Sequence, residues 1–389
     1  MRFLFVFDIG FDRGGPSVHL LQDILRSALE EGHAVKVILK KTNGPDKEMP
    51  DEFLANPNFH YHIIDEKTNK KSGFISRYID EIKYAKKCAG LFLSDGRFDA
   101  VFLQSNVITY FYMKQLKKLD CRIVYNVQDI FPYNLKLSGQ LPLAKITFPI
   151  FRKLQNAGYK MADKIITISD DMKQTLVDDG VESDKIEVVY NWSYADTPIR
   201  LETIDPENVF DLHLDHNKFN VVYAGNIGKM QNVELIAKAA REMEEDESIH
   251  FYIIGDGANK RDVEQIANGL KNVTMLPMQP VRYAESIYAQ ADLNVIPLML
   301  GGIRTALPSK TATVLRVNKP MAFCIDGETE IEKLMGKIDG VYFCDCCDTT
   351  SVKSLLQKLM RVNSGDINRN KLAFLSVANC NQYIKCMVG

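Results

Sequence analysis

An apolar run meets a glycine-rich loop at residues 219–228, Phe219-Asn220-Val221-Val222-Tyr223-Ala224-Gly225-Asn226-Ile227-Gly228. An apolar run of this length that ends in glycine is typical of a buried strand followed by a tight turn. The chain opens in the same way, with the apolar run 2–7 and then Gly14-Gly15-Pro16-Ser17. A strand-helix series follows each opening. The repeated pattern predicts two α/β domains, each built on a mainly parallel sheet.

Short apolar runs alternate with helix-period segments through both halves of the chain. Further strands are expected near 34–39, 60–64, 99–104, 122–127, 164–168 and 186–190, and then near 250–254, 273–275, 293–296, 320–324 and 341–343. We predict four segments: an N-terminal domain (1–197), a linker (198–218), a second domain (219–365) and a C-terminal helix (366–389) that packs back on the first domain. Ligands of such sheets bind beyond the carboxyl ends of the strands. We therefore expect two doubly wound Rossmann-like domains facing each other across a cleft.

Composition narrows the class of protein. The chain has 389 residues and a formal net charge of −2. We therefore do not expect it to bind nucleic acid through its overall charge. No run approaches the roughly 20 apolar residues of a membrane span. The first apolar run is too short for a signal peptide. We expect a cytoplasmic protein, at most peripheral on the inner face of the cell membrane.

Eight cysteines are present, and their scattered spacing outside residues 344–347 suits reduced thiols. The run Cys344-Asp345-Cys346-Cys347 has two interpretations, as ligands of a soft metal or as incidental thiols at a strand end. We favour the second interpretation. No D-x-D motif stands as a metal clamp at a strand end, so the prediction is no catalytic metal and no cofactor.

Three loops at strand ends have features of anion sites. Gly14 and Gly15 permit close backbone approach to a ligand, although a tight strand-to-helix turn explains them equally well. In the second domain Asn226 and Lys229 follow the first strand, and Gly255-Asp256-Gly257 follows the next. Lys260 stands where a dinucleotide fingerprint needs its third small residue, so nicotinamide chemistry is disfavoured.

The most informative loop is Gly301-Gly302-Ile303-Arg304-Thr305-Ala306-Leu307-Pro308-Ser309-Lys310. Pro308 and Ser309 suit a helix start, which directs backbone amides toward a ligand. Lys310 adds a point charge for a diphosphate. The second domain thus has three such loops at equivalent strand ends, at 225–229, 255–257 and 301–310, which favours a nucleoside-diphosphate site there.

The chain resembles the retaining GT-B glycosyltransferases of family 4, in the branch that builds bacterial capsule, exopolysaccharide and O-antigen. The motifs that carry the resemblance span nearly the whole chain: Arg13-Gly14-Gly15, Val127-Gln128-Asp129-Ile130-Phe131-Pro132, Ala162-Asp163-Lys164-Ile165-Ile166-Thr167-Ile168-Ser169, Tyr190-Asn191-Trp192, Tyr223-Ala224-Gly225-Asn226-Ile227-Gly228-Lys229, Ile254-Gly255-Asp256-Gly257, Leu307-Pro308-Ser309-Lys310-Thr311 and Asn318-Lys319-Pro320. The order and spacing of these motifs indicate the family more specifically than any single motif does.

The resemblance implies that the first domain (1–197) binds the acceptor and that the second domain (219–365) binds the nucleotide-sugar donor. Asn226 and Lys229 would lie near the diphosphate, together with Gly255. Met278, in Leu276-Pro277-Met278-Gln279, would face the base, with uracil the expected base. Ser309 and Lys310 would lie near the diphosphate and the transferred sugar, and Gly14 and Gly15 would approach from the first domain.

The family's glutamate pair, spaced eight residues apart, is replaced here by Thr305 and Thr313. We expect Thr313 at the donor site, without the usual carboxylate on the ribose. Arg304 either supplies a phosphate contact or is a solvated loop arginine. The replacement leaves open a catalytically degenerate partner subunit that only binds nucleotide sugar.

Retention in this family needs little covalent help, since the donor phosphate itself takes the acceptor proton. The protein then contributes positioning and positive potential. We expect Asp129 and Lys310 to be the catalytic residues, with Asp129 orienting the acceptor hydroxyl or the sugar; a loop-capping Asp129 is the alternative. His19 is expected to be structural. A nucleotide-sugar 2-epimerase shares the architecture and stays an alternative activity.

Residues 134–164 carry six basic residues and one acid among bulky apolar residues. This composition suits contact with an anionic membrane surface, where a polyprenyl-diphosphate-linked or growing glycan acceptor would be met. A core-packed helix with a solvated basic face is the alternative. Pro149 is expected to break or kink this helix.

Overall fold

A computed structural model describes residues 1–13, 18–41, 47–65, 74–105, 109–193, 198–361, 367, 369 and 372–389. The chain forms two compact units, Met1–Tyr194 together with Val377–Gly389, and Ala195–Ser376. Among the described residues, no helix combines the length and the apolar character needed to cross a bilayer.

The first unit is a parallel sheet of seven strands in the order β3-β2-β1-β4-β5-β6-β7. Its strands are β1 (Arg2–Val6), β2 (Ala34–Lys40), β3 (Phe59–Ile64), β4 (Ala100–Gln104), β5 (Arg122–Val127), β6 (Lys164–Thr167) and β7 (Ile186–Val188). Its helices are α1 (Val18–Glu30), α2 (Asp51–Leu54), α3 (Phe74–Ser94), α4 (Thr109–Leu116), α5 (Tyr133–Leu137), α6 (Ala144–Met161) and α7 (Asp170–Asp178). Strand β1 is apolar on both faces because helices cover both sides of a parallel sheet.

The second unit is a parallel sheet of six strands in the order β10-β9-β8-β11-β12-β13. Its strands are β8 (Phe219–Asn226), β9 (Ile249–Asp256), β10 (Val273–Leu276), β11 (Leu293–Pro297), β12 (Met321–Ile325) and β13 (Val341–Asp345). Its helices are α8 (Val233–Glu242), α9 (Lys260–Ala267), α10 (Ala284–Gln290), α11 (Lys310–Arg316), α12 (Glu330–Met335) and α13 (Thr349–Arg361). The strand order reverses between β8 and β11, and ligands of doubly wound sheets bind at such a switch point.

Residues 198–218, expected to form a linker, are part of the second unit. The amide of Ile199 donates to the carbonyl oxygen of Arg316 at 2.9 Å. The amide of Phe210 donates to Ser286 Oγ at 3.0 Å, and Gln290 Nε2 donates to the Phe210 carbonyl at 2.8 Å. Polar composition there reflects a surface segment fastened to α10 and α11.

The C-terminal helix α14 (Cys380–Val388) begins later than the predicted residue 366. The buried guanidinium of Arg369 explains the difference, because it donates to the carbonyl oxygens of Leu315, Lys319, Asp339 and Gly340. These hydrogen bonds hold Arg369 in the second unit, whereas α14 belongs to the first. Helix α14 packs in the first unit, where Ser27 Oγ donates to Asn381 Oδ1 at 2.8 Å.

Helix α6 continues through Pro149 and is not broken there. A break at Pro149 is therefore wrong, and a kink there stays a prediction. Pro149 lies in the second turn of the helix and is solvent-exposed.

Candidate functional site

Two glycines bring the carboxyl ends of β8 and β9 together. Gly225 pairs with Gly255 in the parallel register, and Asn226 pairs with Asp256. At Gly255 φ is +159°, and a Cβ there would lie 2.0 Å from the Gly225 carbonyl oxygen. Any side chain at this position would push the strand ends apart, so the sequence needs glycine.

Lys310 closes this part of the site. It is the first residue of α11, and its Nζ donates to the carbonyl oxygen of Ala224 at 2.8 Å. The same Nζ lies 3.8 Å from the centre of the Tyr223 ring. Burial lowers the pKa of Lys310 to about 7. A bound anion would favour the charged ammonium again, so the position suits a ligand that brings negative charge.

The space above Gly225 is reserved for this ammonium. A Cβ on Gly225 would lie 3.0 Å from Lys310 Nζ, and φ at Gly225 is +144°. The loop after β8 is held locally, since Asn226 Nδ2 donates to Gln231 Oε1 at 3.0 Å and Tyr223 Oη donates to the Asn226 carbonyl oxygen at 2.5 Å. Asn226 itself is exposed at the surface of the site, as is Lys229.

The loop after β11 is tied to the loop after β8, because the Met299 amide donates to the Met230 carbonyl oxygen at 2.9 Å. Asp326, which follows β12, accepts from the Gly301 amide at 3.1 Å and from Arg304 Nε at 3.2 Å. Arg304 is therefore part of an ion pair and is not simply a solvated loop arginine. The pair fixes the course of residues 301–304.

The remaining positions expected near the donor differ in exposure. Ser309 is exposed directly before α11, and Thr313 is half-buried within that helix. Thr305 is buried, and its hydroxyl donates to the Gly302 carbonyl oxygen at 3.0 Å, which gives it a role inside the loop. Met278 is 46% exposed just after β10, the strand beside β9. Gly14 and Gly15 lie outside the described residues.

Asp129 lies in the first unit, two residues beyond β5. Burial raises the pKa of Asp129 to about 6, against the opposing effect of a hydrogen bond with Asn134. A polar network lies beside it, in which Gln128 Nε2 donates to Asn126 Oδ1 at 3.1 Å and Asn191 Nδ2 donates to Gln128 Oε1 at 2.8 Å. The network fixes the strand end that carries Asp129. His19 Nε2 donates to the Trp192 carbonyl oxygen at 3.2 Å, which gives this histidine a structural role.

Two residues of the second-unit site were missed by sequence analysis. Tyr223 was assigned only to the strand, although its ring contacts the Lys310 ammonium. Asp326 was not considered, although a polar residue directly after a parallel strand is a signal for the ligand-binding edge of the sheet. The signal was present in the sequence at Asp326 and absent at Tyr223, because a strand tyrosine has no distinguishing local pattern.

Family models match both units. The model described as "Glycosyltransferase Family 4" matches residues 13–192, and the model described as "Glycosyl transferases group 1" matches residues 218–324. The two matches follow the chain in the order of its two units.

Relatives and solved structures agree with these matches. WcaI of Escherichia coli (strain K12), named as a colanic acid biosynthesis glycosyl transferase, is 27% identical over 251 residues, 63% of this chain and 61% of WcaI. WbjE of Pseudomonas aeruginosa, named as a glycosyltransferase, is 22% identical over 61% of this chain and 59% of its own. The alignments thus span about six-tenths of the curated relatives' length.

The fold is shared with HepE from Anabaena, solved in complex with UDP and glucose. The TM-score is 0.66 at 13% identity, covering 99% of this chain and 98% of HepE. With a family match in each unit and the GT-B fold, the chain is identified as a glycosyltransferase whose first unit matches Glycosyltransferase Family 4 and whose second unit matches Glycosyl transferases group 1.

Proposed function

We propose that the chain is a retaining glycosyltransferase that moves a sugar from a UDP-linked donor to a lipid-linked or growing glycan acceptor in bacterial surface polysaccharide synthesis. The observation that carries the proposal is the position of Lys310, whose ammonium lies over Gly225 at the switch point of the second sheet. A compact charge at a ligand-binding strand edge suits the leaving diphosphate.

In the proposed reaction the bond between the sugar's anomeric carbon and the diphosphate oxygen breaks first. The acceptor oxygen then bonds to the same face of the sugar, and its proton passes to the departing phosphate. Negative charge grows on the diphosphate as the bond breaks. Lys310 and the amides of the neighbouring loops stabilise that charge, and such preorganised electrostatic stabilisation is commonly the largest contribution to a rate enhancement.

We propose Asn226, Lys229, Ser309 and Met278 as further donor contacts. The first three are exposed polar groups at the strand edge, and exposed Met278 offers an apolar surface for the base. The proposal of UDP is supported by HepE, which shares the fold and was solved with UDP and glucose. On the acceptor side, we assign Asp129 to the incoming hydroxyl, because burial gives this carboxylate a pKa of about 6.

The acceptor proposal rests on one face of α6. Ile146 and Ile150, four residues apart on α6, lie on one side of the helix and are 64% and 56% exposed, and Leu143 directly before the helix is 76% exposed. Lys145 and Lys153 are exposed along the same helix. An apolar stripe flanked by lysines suits an anionic membrane surface, where a polyprenyl-diphosphate acceptor would lie.

The testing experiment is thermal unfolding with UDP, GDP, ADP and NAD, each with and without magnesium. A ligand at about 100 times its Kd stabilises the folded state by about 2.7 kcal/mol. UDP alone is expected to raise the Tm, with or without magnesium. Incubation with UDP-sugars and NMR of the product then reports whether the anomeric configuration is retained. A shift with NAD alone, or an inverted product, overturns the proposal, and formation of a 2-epimerised nucleotide sugar without any acceptor assigns the epimerase activity instead.

A further inference from the structure

Two thiols and a carboxylate converge at the carboxyl end of β13. The ligand atoms of Asp345, Cys346 and Cys347 all lie within 4.8 Å of one another. Cys346 is buried, whereas Cys347 and Asp345 are exposed. The group therefore combines one buried thiol, that of Cys346, with two side chains that are accessible to ions in solution.

The spacing of the two thiols fits a tetrahedral metal ion. Cys346 Sγ and Cys347 Sγ are 3.8 Å apart. Two thiolates bound at 2.3 Å to a tetrahedral ion are separated by about 3.8 Å. The sulfurs thus need no rearrangement to bind one ion together, and a carboxylate oxygen of Asp345 lies within 4.8 Å of both.

The backbone of this turn is fixed without any ion. The Asp345 amide donates to Ser351 Oγ at 3.1 Å, and the Cys346 amide donates to the Ile325 carbonyl oxygen at 3.2 Å. The Cys347 amide donates to Asp345 Oδ1 at 2.7 Å, which leaves the second carboxylate oxygen for a ligand role and orients it. Preorganisation of this kind reduces the ordering cost of binding.

We propose that Asp345, Cys346 and Cys347 form a binding site for a thiophilic divalent cation of the zinc type. Two thiolates and one carboxylate are a donor set that selects such ions over magnesium or calcium. Three protein ligands leave the fourth tetrahedral position to water or to an added ligand. The site adjoins the start of α8, since Asn232 Nδ2, just before that helix, donates to the Cys346 carbonyl oxygen at 2.9 Å.

The test is a titration of the metal-free full-length protein with Co²⁺, in the presence of a phosphine reductant that keeps the thiols reduced. Tetrahedral thiolate coordination gives Co²⁺ an intense visible spectrum and a thiolate charge-transfer band. We expect these bands to saturate at one equivalent and to disappear when Zn²⁺ is added. Absence of the thiolate band at one equivalent overturns the proposal.

Cys347→Ser is the principal variant, because Cys347 is exposed and the substitution leaves the core intact. Its Co²⁺ affinity is expected to fall by more than about tenfold, since even outer-shell changes cost 10–100-fold. Asp345→Asn is expected to weaken binding in the same direction. Cys121→Ser removes a half-buried thiol in the first unit and is the matched control. Equal affinity of wild type and Cys347→Ser, or an equal loss in Cys121→Ser, contradicts the proposed site.

Discussion

The ammonium of Lys310 lies 3.8 Å from the centre of the Tyr223 ring. Its hydrogen bond to the Ala224 carbonyl oxygen, at 2.8 Å, holds it over the same strand end. Both partners are neutral, so they position the charge without neutralising it. A cation over an aromatic face is stabilised by about 0.5–2 kcal/mol, which offsets part of the cost of its burial.

Replacing Lys310 separates binding from folding. Lys310→Met is expected to weaken UDP binding by about 10- to 150-fold, because a hydrogen bond to a charged group contributes about 1.5–3 kcal/mol. The unliganded variant should unfold at the same or a higher temperature, since a buried cation is removed. Calorimetric titration with UDP measures the first effect. Lys238→Met, which removes an exposed lysine on α8, is the control and should bind as wild type; unchanged binding in Lys310→Met would exclude Lys310 from the site.

The lowered pKa of Lys310 predicts a pH dependence of donor binding. Below about pH 7 the free protein already carries the charged ammonium. Above that pH the free lysine is neutral, and binding of an anion must be accompanied by proton uptake, so UDP affinity should fall by up to about tenfold per pH unit. Binding of UDP to wild type and Lys310→Met between pH 6 and 9 measures this, because the variant cancels the titration of UDP itself. Parallel curves would contradict the assignment.

Gly225→Ala tests the space reserved for the ammonium. The new Cβ would lie 3.0 Å from Lys310 Nζ, so the lysine must move and UDP binding should fall at least tenfold, about 1.4 kcal/mol. Gly269→Ala is the control for backbone strain, because φ there is +82° and nothing lies within 4 Å of its Cβ position. Both variants should lose stability, but Gly269→Ala should bind UDP normally. Equal binding by the two variants would show that the contact is irrelevant.

The ion pair between Arg304 and Asp326 is expected to hold the loop after β11 in the position that binds UDP. Asp326→Asn removes the charge that holds Arg304 and the Gly301 amide. Because a partly exposed pair contributes about 0.2–1 kcal/mol, Asp326→Asn and Arg304→Ala should each raise the Kd of UDP by about two- to fivefold. Tighter binding in Asp326→Asn, with weaker binding in Arg304→Ala, would instead show that Arg304 itself contacts the diphosphate.

The fold followed from local pattern because buried parallel strands are apolar almost throughout. The run 219–224 identified β8, and each further predicted strand overlaps an observed one. The start of α14 did not follow, since it depends on Arg369 and four carbonyl oxygens that are distant in sequence. The helical pattern of apolar residues does not reveal such a tertiary contact.

In the candidate site, too, some features follow from the local sequence and others depend on tertiary contacts. The position of Lys310 after a glycine-rich loop was visible in the sequence, whereas its contact with Tyr223 arises only when β8 and α11 pack together. Arg304 looked like a solvated residue or a ligand contact because its partner, Asp326, is 22 residues away and belongs to another strand end. Loop residues can be located by pattern, but their partners are set by the sheet order.

The exposed face of α6 gives the last prediction. Ile146→Ser with Ile150→Ser is expected to reduce binding to phosphatidylglycerol vesicles at least tenfold, because two apolar side chains that would enter the interface are lost. Vesicle co-sedimentation at low and high salt measures the loss. Leu54→Ser, at a 52% exposed position outside α6, is the control. Arg152 is a poor site for charge reversal, since it pairs with Asp179; Lys153→Glu is the better choice. Wild-type binding by the double variant would assign the stripe to a different partner.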